Sequence, residues 1–145
     1  MKKIFCLILI FIIAMSFFVN AQNDITVTID GVKIDFNDVP PQIVEGRTLV
    51  PMRKIFESLG AEVTWIDSTR SIVAVKGTTV IGMTIDSDKM TVTNLVTSES
   101  KNVILDVPAV IVDSRTMVPA RAISESLGLK VEWDNNTRTV KIFSK

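Results

Sequence analysis

The 145-residue chain contains no histidine and no tyrosine, and its single cysteine, Cys6, lies among the first ten residues. Histidine is the commonest general base and metal ligand in proteins, so histidine-based catalytic and metal centres are excluded. With Cys6 set aside, a zinc site would need carboxylates alone, which is unusual for this metal. We therefore expect a protein that is not an enzyme and that holds no metal and no cofactor.

An excess of charge of one sign is also missing, because 16 Lys and Arg residues face 16 Asp and Glu residues. Without Lys2 and Lys3, which lie in the N-terminal segment, 14 basic residues face 16 acidic ones, and the formal net charge is −2. Nucleic acids and anionic membranes select proteins with a basic surface. The composition therefore predicts no nucleic-acid partner, and no membrane association once that segment is removed.

One long apolar run is present, from Ile4 to Val19, with two lysines before it and Asn20-Ala21 after it. A basic start, an apolar stretch and a small residue before polar sequence are typical of a secretory signal peptide. A helix of about 16 residues spans roughly 24 Å, less than the ~30 Å hydrocarbon core of a bilayer, which argues against a membrane anchor. We expect residues 1–21 to be a signal peptide and residues 22–145 to be an exported domain without disulfides.

Two segments of the chain match each other at an offset of 68 residues. Residues 38–75 read DVPPQIVEGRTLVPMRKIFESLGAEVTWIDSTRSIVAV, and residues 106–143 read DVPAVIVDSRTMVPARAISESLGLKVEWDNNTRTVKIF. The shared skeleton, DVPxxIVxxRTxVPxRxIxESLGxxVxWxxxTR, predicts two copies of one structural unit. With their flanking residues, we place the two repeats at about 25–76 and 92–143.

Each copy predicts a short helix between strands. Residues 48–50 precede Pro51 and are expected to be extended, and the proline then suits the first position of a helix. From Met52 to Leu59, apolar side chains lie at positions i, i+3, i+4 and i+7, which predicts one apolar face of a helix. Gly60 favours the left-handed backbone conformation that ends a helix. The second copy repeats this pattern over residues 119–128.

Short segments of alternating polarity surround these helices. Turn residues such as Asp30-Gly31 and Asp86-Ser87-Asp88 separate them, which predicts β-hairpins. Residues 91–101 are expected to form a long polar loop. The fold class predicted is α+β, a duplicated unit of short antiparallel strands and hairpins with one short helix per repeat.

The twin segments RTLVPMRKIFESLGAEVTW and RTMVPARAISESLGLKVEW resemble the copper amine oxidase N-terminal domain family of secreted bacterial proteins. The resemblance covers about residues 25–143. It implies a stalk-type accessory domain, of the kind that precedes the catalytic part of some amine oxidases and also occurs alone or beside cell-wall modules. Amine oxidation itself needs a tyrosine that matures into a quinone and histidines that bind copper, and this chain has neither.

Four arginines occupy matching positions in the two copies: Arg47, Arg53, Arg115 and Arg121. On the predicted helices, Arg53 lies four residues before Glu57, and Arg121 lies four residues before Glu125, so each pair shares a helix face. The arginines could offer cations to an anionic ligand such as a wall polymer. They could also brace the helices against strand ends through carboxylate and carbonyl hydrogen bonds, which is the interpretation that we favour.

The two tryptophans, Trp65 and Trp133, occupy matching positions on the strand that follows each helix. They could form an aromatic platform for sugar rings. A tryptophan in phase with Val63 or Val131 more often belongs to the core, and we favour that interpretation. Burial of both indoles would exclude the platform.

Two further patterns are attributed to chance. Ser98-Glu99-Ser100-Lys101 matches an S-x-x-K string but lacks its companion motifs. Asp86 and Asp88 are acidic enough for calcium but lack the rest of a binding loop. A catalytic carboxylate pair would require Glu57 and Glu125 to converge in one cleft.

These observations favour a non-catalytic secreted or extracellular module that is a binding or structural element of the cell surface or cell wall. The alternative is a protein-binding or inhibitor module that docks on a secreted enzyme through strand edges or the polar loop. The expected partner is a cell-wall polymer or another secreted or surface protein.

Overall fold

A computed structural model describes residues 24–144, so the expected signal peptide and Cys6 lie outside the described residues. Strands make up about half of the described residues and two short helices accompany them, consistent with an α+β protein. The elements, in chain order, are β1 Thr26–Ile29, β2 Val32–Lys33, β3 Gln42–Val44, β4 Arg47–Pro51, α1 Met52–Ser58, β5 Glu62–Ile66, β6 Ser71–Lys76, β7 Thr79–Thr84, β8 Lys89–Asn94, β9 Ser100–Ile104, β10 Val110–Val112, β11 Arg115–Pro119, α2 Ala120–Leu127, β12 Lys130–Asp134 and β13 Thr139–Phe143.

The strands form three sheets. The central sheet has the order β10-β11-β4-β3, a second sheet has the order β12-β13-β1-β2, and a third runs β5-β6-β7-β8-β9. Neighbouring strands are antiparallel except β1 and β13, which are parallel with Val27 beside Val140. The first and last strands of the described chain are therefore neighbours in one sheet.

A local two-fold axis passes through the central sheet. Strands β4 and β11 run antiparallel with Val50 beside Val118, and these two residues are related by the offset of 68. The same offset relates β3 to β10, α1 to α2, β5 to β12 and β6 to β13. The set β3, β4, α1, β5 and β6 and the set β10, β11, α2, β12 and β13 thus meet where β4 pairs with β11. We call these sets the two arrays.

The surroundings of the two arrays differ. Strand β6 continues directly into the antiparallel strands β7, β8 and β9, whereas β13 pairs with the N-terminal strand β1. The two helix-and-hairpin arrays consequently belong to sheets of different size and connection.

The core has two parts because successive residues of a strand point to opposite faces. Val50 belongs to the large cluster, which also contains the fully buried Ile55, Phe56 and Ile123 of the two helices. Leu49 belongs to a small cluster on the other face of the central sheet. That cluster consists of Val39, Leu49, Val107 and Met117.

The predicted helices are present, and a glycine in the left-handed region follows each, Gly60 at φ 84° two residues after α1 and Gly128 at φ 69° directly after α2. The placement of Pro51 was wrong by one residue, since this proline ends β4 and caps α1 without being helical. A proline can close a strand here because it follows extended residues and has a φ of −60°.

The predicted polar loop at residues 91–101 is wrong, whereas the hairpin predicted around Asp86-Ser87-Asp88 is present as β7 and β8. These residues form most of a hairpin, with β8 and β9 paired from Lys89 opposite Ile104 to Thr93 opposite Ser100. Cross-strand hydrogen bonds between side chains, from Thr91 to Asn102 at 3.1 Å and between Thr93 and Ser100 at 2.7 Å, explain why a polar segment is ordered as strands.

Candidate functional site

An open groove of about 710 Å³ lies beside helix α1. It is bounded by the start of α1, the core side of β5, the turn between β10 and β11, and residues 35–38. We call it the α1 groove, and its lining residues are Asp35, Phe36, Asn37, Asp38, Pro51, Met52, Arg53, Lys54, Glu57, Val63, Trp65, Ile72, Ile111, Ser114, Arg115 and Thr116. The groove therefore combines parts of both halves of the chain.

Arg53 is fixed at one side of this groove. Its Nη1 donates to the backbone oxygen of Val63 at 2.8 Å and lies 3.4 Å from Oε1 of Glu57 on the next turn of α1. The first bond ties the helix to strand β5, as the bracing interpretation expects. Half of the Arg53 side chain remains exposed, and its guanidinium keeps donors that these two contacts do not use.

Trp65 forms an aromatic wall of the groove. It lies on β5 in phase with Val63 and packs against the large core cluster, but it is only partly buried. Its indole Nε1 donates to Oδ1 of Asp67 at 3.3 Å, which holds the ring in one orientation. Trp65 therefore gives the groove a restrained indole, and Phe36 belongs to the same lining.

Arg115 closes the groove from the second half of the chain. Its Nη2 lies 2.5 Å from Oδ2 of Asp38. A hydrogen bond from the backbone N–H of Val39 and the charge of Arg115 lower the pKa of Asp38 below its usual 3.8. Asp38 is therefore ionised at neutral pH, and the pair holds residues 35–38 against the β10–β11 turn.

The groove also contains two charged side chains without partners. Within residues 24–144, the carboxylate of Asp35 and the amino group of Lys54 make no ion pair or hydrogen bond, although Ser58 Oγ donates to the backbone oxygen of Lys54 at 2.7 Å. Sequence reasoning missed both, together with Phe36 and Ile111. Lys54 follows Arg53 on an exposed helix face, where charge is common and carries no distinguishing pattern.

The other predicted site residues lie outside this groove. Arg47 pairs with Asp106 through Nε and Oδ2 at 2.7 Å. Arg121 makes no ion pair or side-chain hydrogen bond with its surroundings in residues 24–144. Trp133 is 40% exposed, so the core interpretation does not hold for this indole, and neither tryptophan meets the condition that would exclude a sugar platform.

Glu57 and Glu125 line different grooves. Glu57 lies in the α1 groove, and Glu125 lines a second groove of about 530 Å³ between α2 and the β8–β9 hairpin. The string from Ser98 to Lys101 spans the end of that hairpin and not a helix, so its lysine is not one helical turn from its serine. In residues 24–144, no three Asp, Glu, His or Cys side chains are grouped to hold a metal ion.

The model of the copper amine oxidase N-terminal domain family matches residues 28–142. The chain belongs to this family. The domain that gives the family its name is a non-catalytic accessory domain of copper amine oxidases. A comparison with curated proteins gives no significant match. Between residues 24 and 144, no helix is long and apolar enough to cross a bilayer.

Proposed function

We propose that the protein is a non-catalytic exported accessory module that binds a glycan of the cell wall in the α1 groove. The observation that carries the proposal is the restrained indole of Trp65 beside the fixed guanidinium of Arg53 in an open groove. Sugar rings present flat apolar faces that stack on aromatic rings, and rigid binding groups lose little conformational entropy on binding. Family membership supports the accessory role.

The charges of the groove favour a glycan that carries carboxylate groups without being a strong polyanion. Arg53 and Arg115 are already paired with Glu57 and Asp38, so they add little net attraction. Within residues 24–144, Lys54 has no such partner and is available to a ligand carboxylate, and Asp35, the other unpaired charge of the groove, can accept hydrogen bonds from sugar hydroxyls. Selectivity would then come from stacking on Trp65 and from one new ion pair.

The proposal includes the organisation of the chain. Residues 1–21 act as a signal peptide, and residues 22–145 form the exported domain, built from two copies of one unit at about 25–76 and 92–143. The matching segments and the equal spacing of their helices and hairpins support the duplication.

A pull-down with isolated cell wall tests the proposal, using the purified domain of residues 22–145. We expect retention of the native protein, and at least about tenfold weaker binding, ~1.4 kcal/mol, for Trp65→Ala and Lys54→Ala. Ile66→Ala is the matched control, because this exposed side chain lies on β5 next to Trp65 but outside the groove. Retention no greater than on an inert resin would count against the glycan.

The turn of the β8–β9 hairpin favours one alternative, a protein partner. Leu95 and Val96 are 61% and 76% exposed there, and apolar side chains left in solvent at a hairpin tip are typical of contact sites. In this case the module docks on a secreted enzyme. Co-purification of one protein from culture supernatant, lost on Leu95→Ser with Val96→Ser and kept with Trp65→Ala, would favour docking over the glycan.

A further inference from the structure

The α1 groove carries two charged side chains of opposite sign that the fold leaves unpaired. Lys54 lies on α1 and Asp35 lies between β2 and β3, and both are exposed and line the same groove. Neither charge has an ion-pair partner within residues 24–144. One free cation and one free anion are therefore open to a ligand in this groove.

The charges that line the groove balance one another. They are three cations and three anions: Arg53, Lys54, Arg115, Asp35, Asp38 and Glu57. Two ion pairs, Arg53 with Glu57 and Arg115 with Asp38, use four of them. A strong polyanion gains little from a lining without net charge, whereas a ligand with one charge of each sign can pair with both free groups.

The fold does not require these two charges. At the positions 68 residues further along the chain, Val103 stands in place of Asp35, and Ala122 stands in place of Lys54. Helix α2 and the strands around it form without either charge. Charged groups that the fold does not use, in a groove lined by apolar and aromatic side chains, are suited to orienting a ligand.

Both free charges lie on fixed parts of the backbone. On one side of Asp35, the backbone N–H of Ile34 donates to the oxygen of Val27 at 2.9 Å. On its other side, Phe36 packs against the large core cluster. Lys54 lies within helix α1. A ligand that pairs with both groups therefore orders two side chains on a backbone that is already in place, which keeps the entropy cost of binding low.

We propose that the ligand of the α1 groove is a wall glycan that carries both a carboxylate and a primary ammonium group. This inference rests on the function proposed for the groove. The carboxylate pairs with Lys54, and the ammonium pairs with Asp35, while an apolar sugar face stacks on Trp65. The ammonium belongs either to an amino sugar without its acetyl group or to the peptide attached to the glycan, since both present the same chemistry to Asp35.

Titration calorimetry with three forms of one wall fragment, a disaccharide with its peptide, tests the inference on the domain of residues 22–145. The first form has a free amine on the peptide alone, the second has a free amine on a sugar alone, and in the third all amines are acetylated. We expect at least one amine-bearing form to bind about fivefold to tenfold more tightly than the acetylated form. The form that does so identifies the source of the ammonium.

Three variants assign the ammonium to Asp35. Asp35→Asn should bind all three forms with the affinity of the native protein for the acetylated form, because the amide carries no charge. Lys54→Gln should weaken the binding of all three forms and keep the preference for the amine. Glu62→Gln is the matched control, because this exposed carboxylate lies on β5 outside the groove, and it should behave as the native protein does.

The possible results separate this inference from the proposed function. Equal affinity of the native protein for all three forms, with binding lost in Trp65→Ala, overturns the ammonium site and leaves the glycan-binding groove in place. A preference for the amine that persists in Asp35→Asn also overturns the inference. Absence of binding of every form to the native protein overturns both proposals. Circular dichroism of each variant shows that any loss arises in a folded protein.

Discussion

Arg47 donates from Nε to Oδ2 of Asp106 at 2.7 Å, and the same ion pair is made in reverse by Arg115 and Asp38. Each pair joins one half of the chain to the other at opposite ends of the contact between β4 and β11. Both pairs are about half exposed, so water and salt weaken them. The two ion pairs therefore add little to the free energy of unfolding. Their main role is to fix how the two halves of the chain are positioned against each other.

A double-mutant cycle on Arg47 and Asp106 measures this interaction. From Arg47→Gln, Asp106→Asn and the double variant, we expect a coupling free energy of about 0.2–1 kcal/mol in urea unfolding at low salt. It should fall towards zero in 1 M NaCl, where charges are screened within about 3 Å. A coupling that does not change with salt would contradict an ion pair.

Acidification should remove the contribution of Asp38. Because the pKa of Asp38 in the folded state lies below the ordinary 3.8, its stabilisation is present above that value and is lost as the pH falls through the lowered pKa. Asp38→Asn should therefore be less stable than the native protein at pH 7, with a difference that disappears as the pH falls below 3.8. Thermal unfolding from pH 7 to pH 2 gives the curve, and a difference that grew on acidification would contradict the lowered pKa.

Two glycine substitutions should have opposite signs. Gly60 has a φ of 84°, and a side chain in this left-handed conformation costs about 1–2 kcal/mol, so Gly60→Ala should destabilise the protein. Gly82 lies within strand β7, and an added Cβ would meet no atom within 4 Å. Gly82→Ala should therefore stabilise by about 0.5–1 kcal/mol. Equal shifts of the unfolding midpoint in one direction would be the contradicting result.

Phe56 is the largest fully buried side chain of helix α1, and its replacement should be severe. Phe56→Ala removes a ring that is 0% exposed and leaves a cavity, at an expected cost of about 3–5 kcal/mol. Leu95→Ala serves as the control, because Leu95 is 61% exposed and its loss should stay within about 0.5 kcal/mol. Urea unfolding of both variants, followed by circular dichroism, provides the comparison. A small effect of Phe56→Ala would mean that α1 does not pack on the core in solution.

Local sequence signals predicted the helices and most hairpins, because the residues that set them are close together in the chain. Gly60 ends a helix, and Asp30-Gly31 turns a strand, without help from distant residues. The pairing of β1 with β13 has no local signal, since Thr26 meets Thr139 only in the folded protein. Strand β9 was missed because polar residues such as Ser100 and Asn102 look like loop residues until they bond to β8.

The candidate site could be predicted only in part for the same reason. The sequence pointed to Arg53 and Trp65 through their matching positions in the two segments. It gave no sign that Phe36 and Ile111 complete the groove, because these residues come from distant parts of the chain. The sequence also gave no sign that Trp65 packs against the core while Trp133 is 40% exposed.

The parallel pairing of β1 with β13 has a consequence for how the protein folds. Strand β1 pairs locally with β2, but its pairing with β13 waits until that strand is present and is among the longest-range contacts of the described residues. Contacts between residues so far apart pay a large loop-closure entropy and form slowly. We infer that the sheet β12-β13-β1-β2 is completed last, after the central sheet and the five-stranded sheet have formed from nearer neighbours.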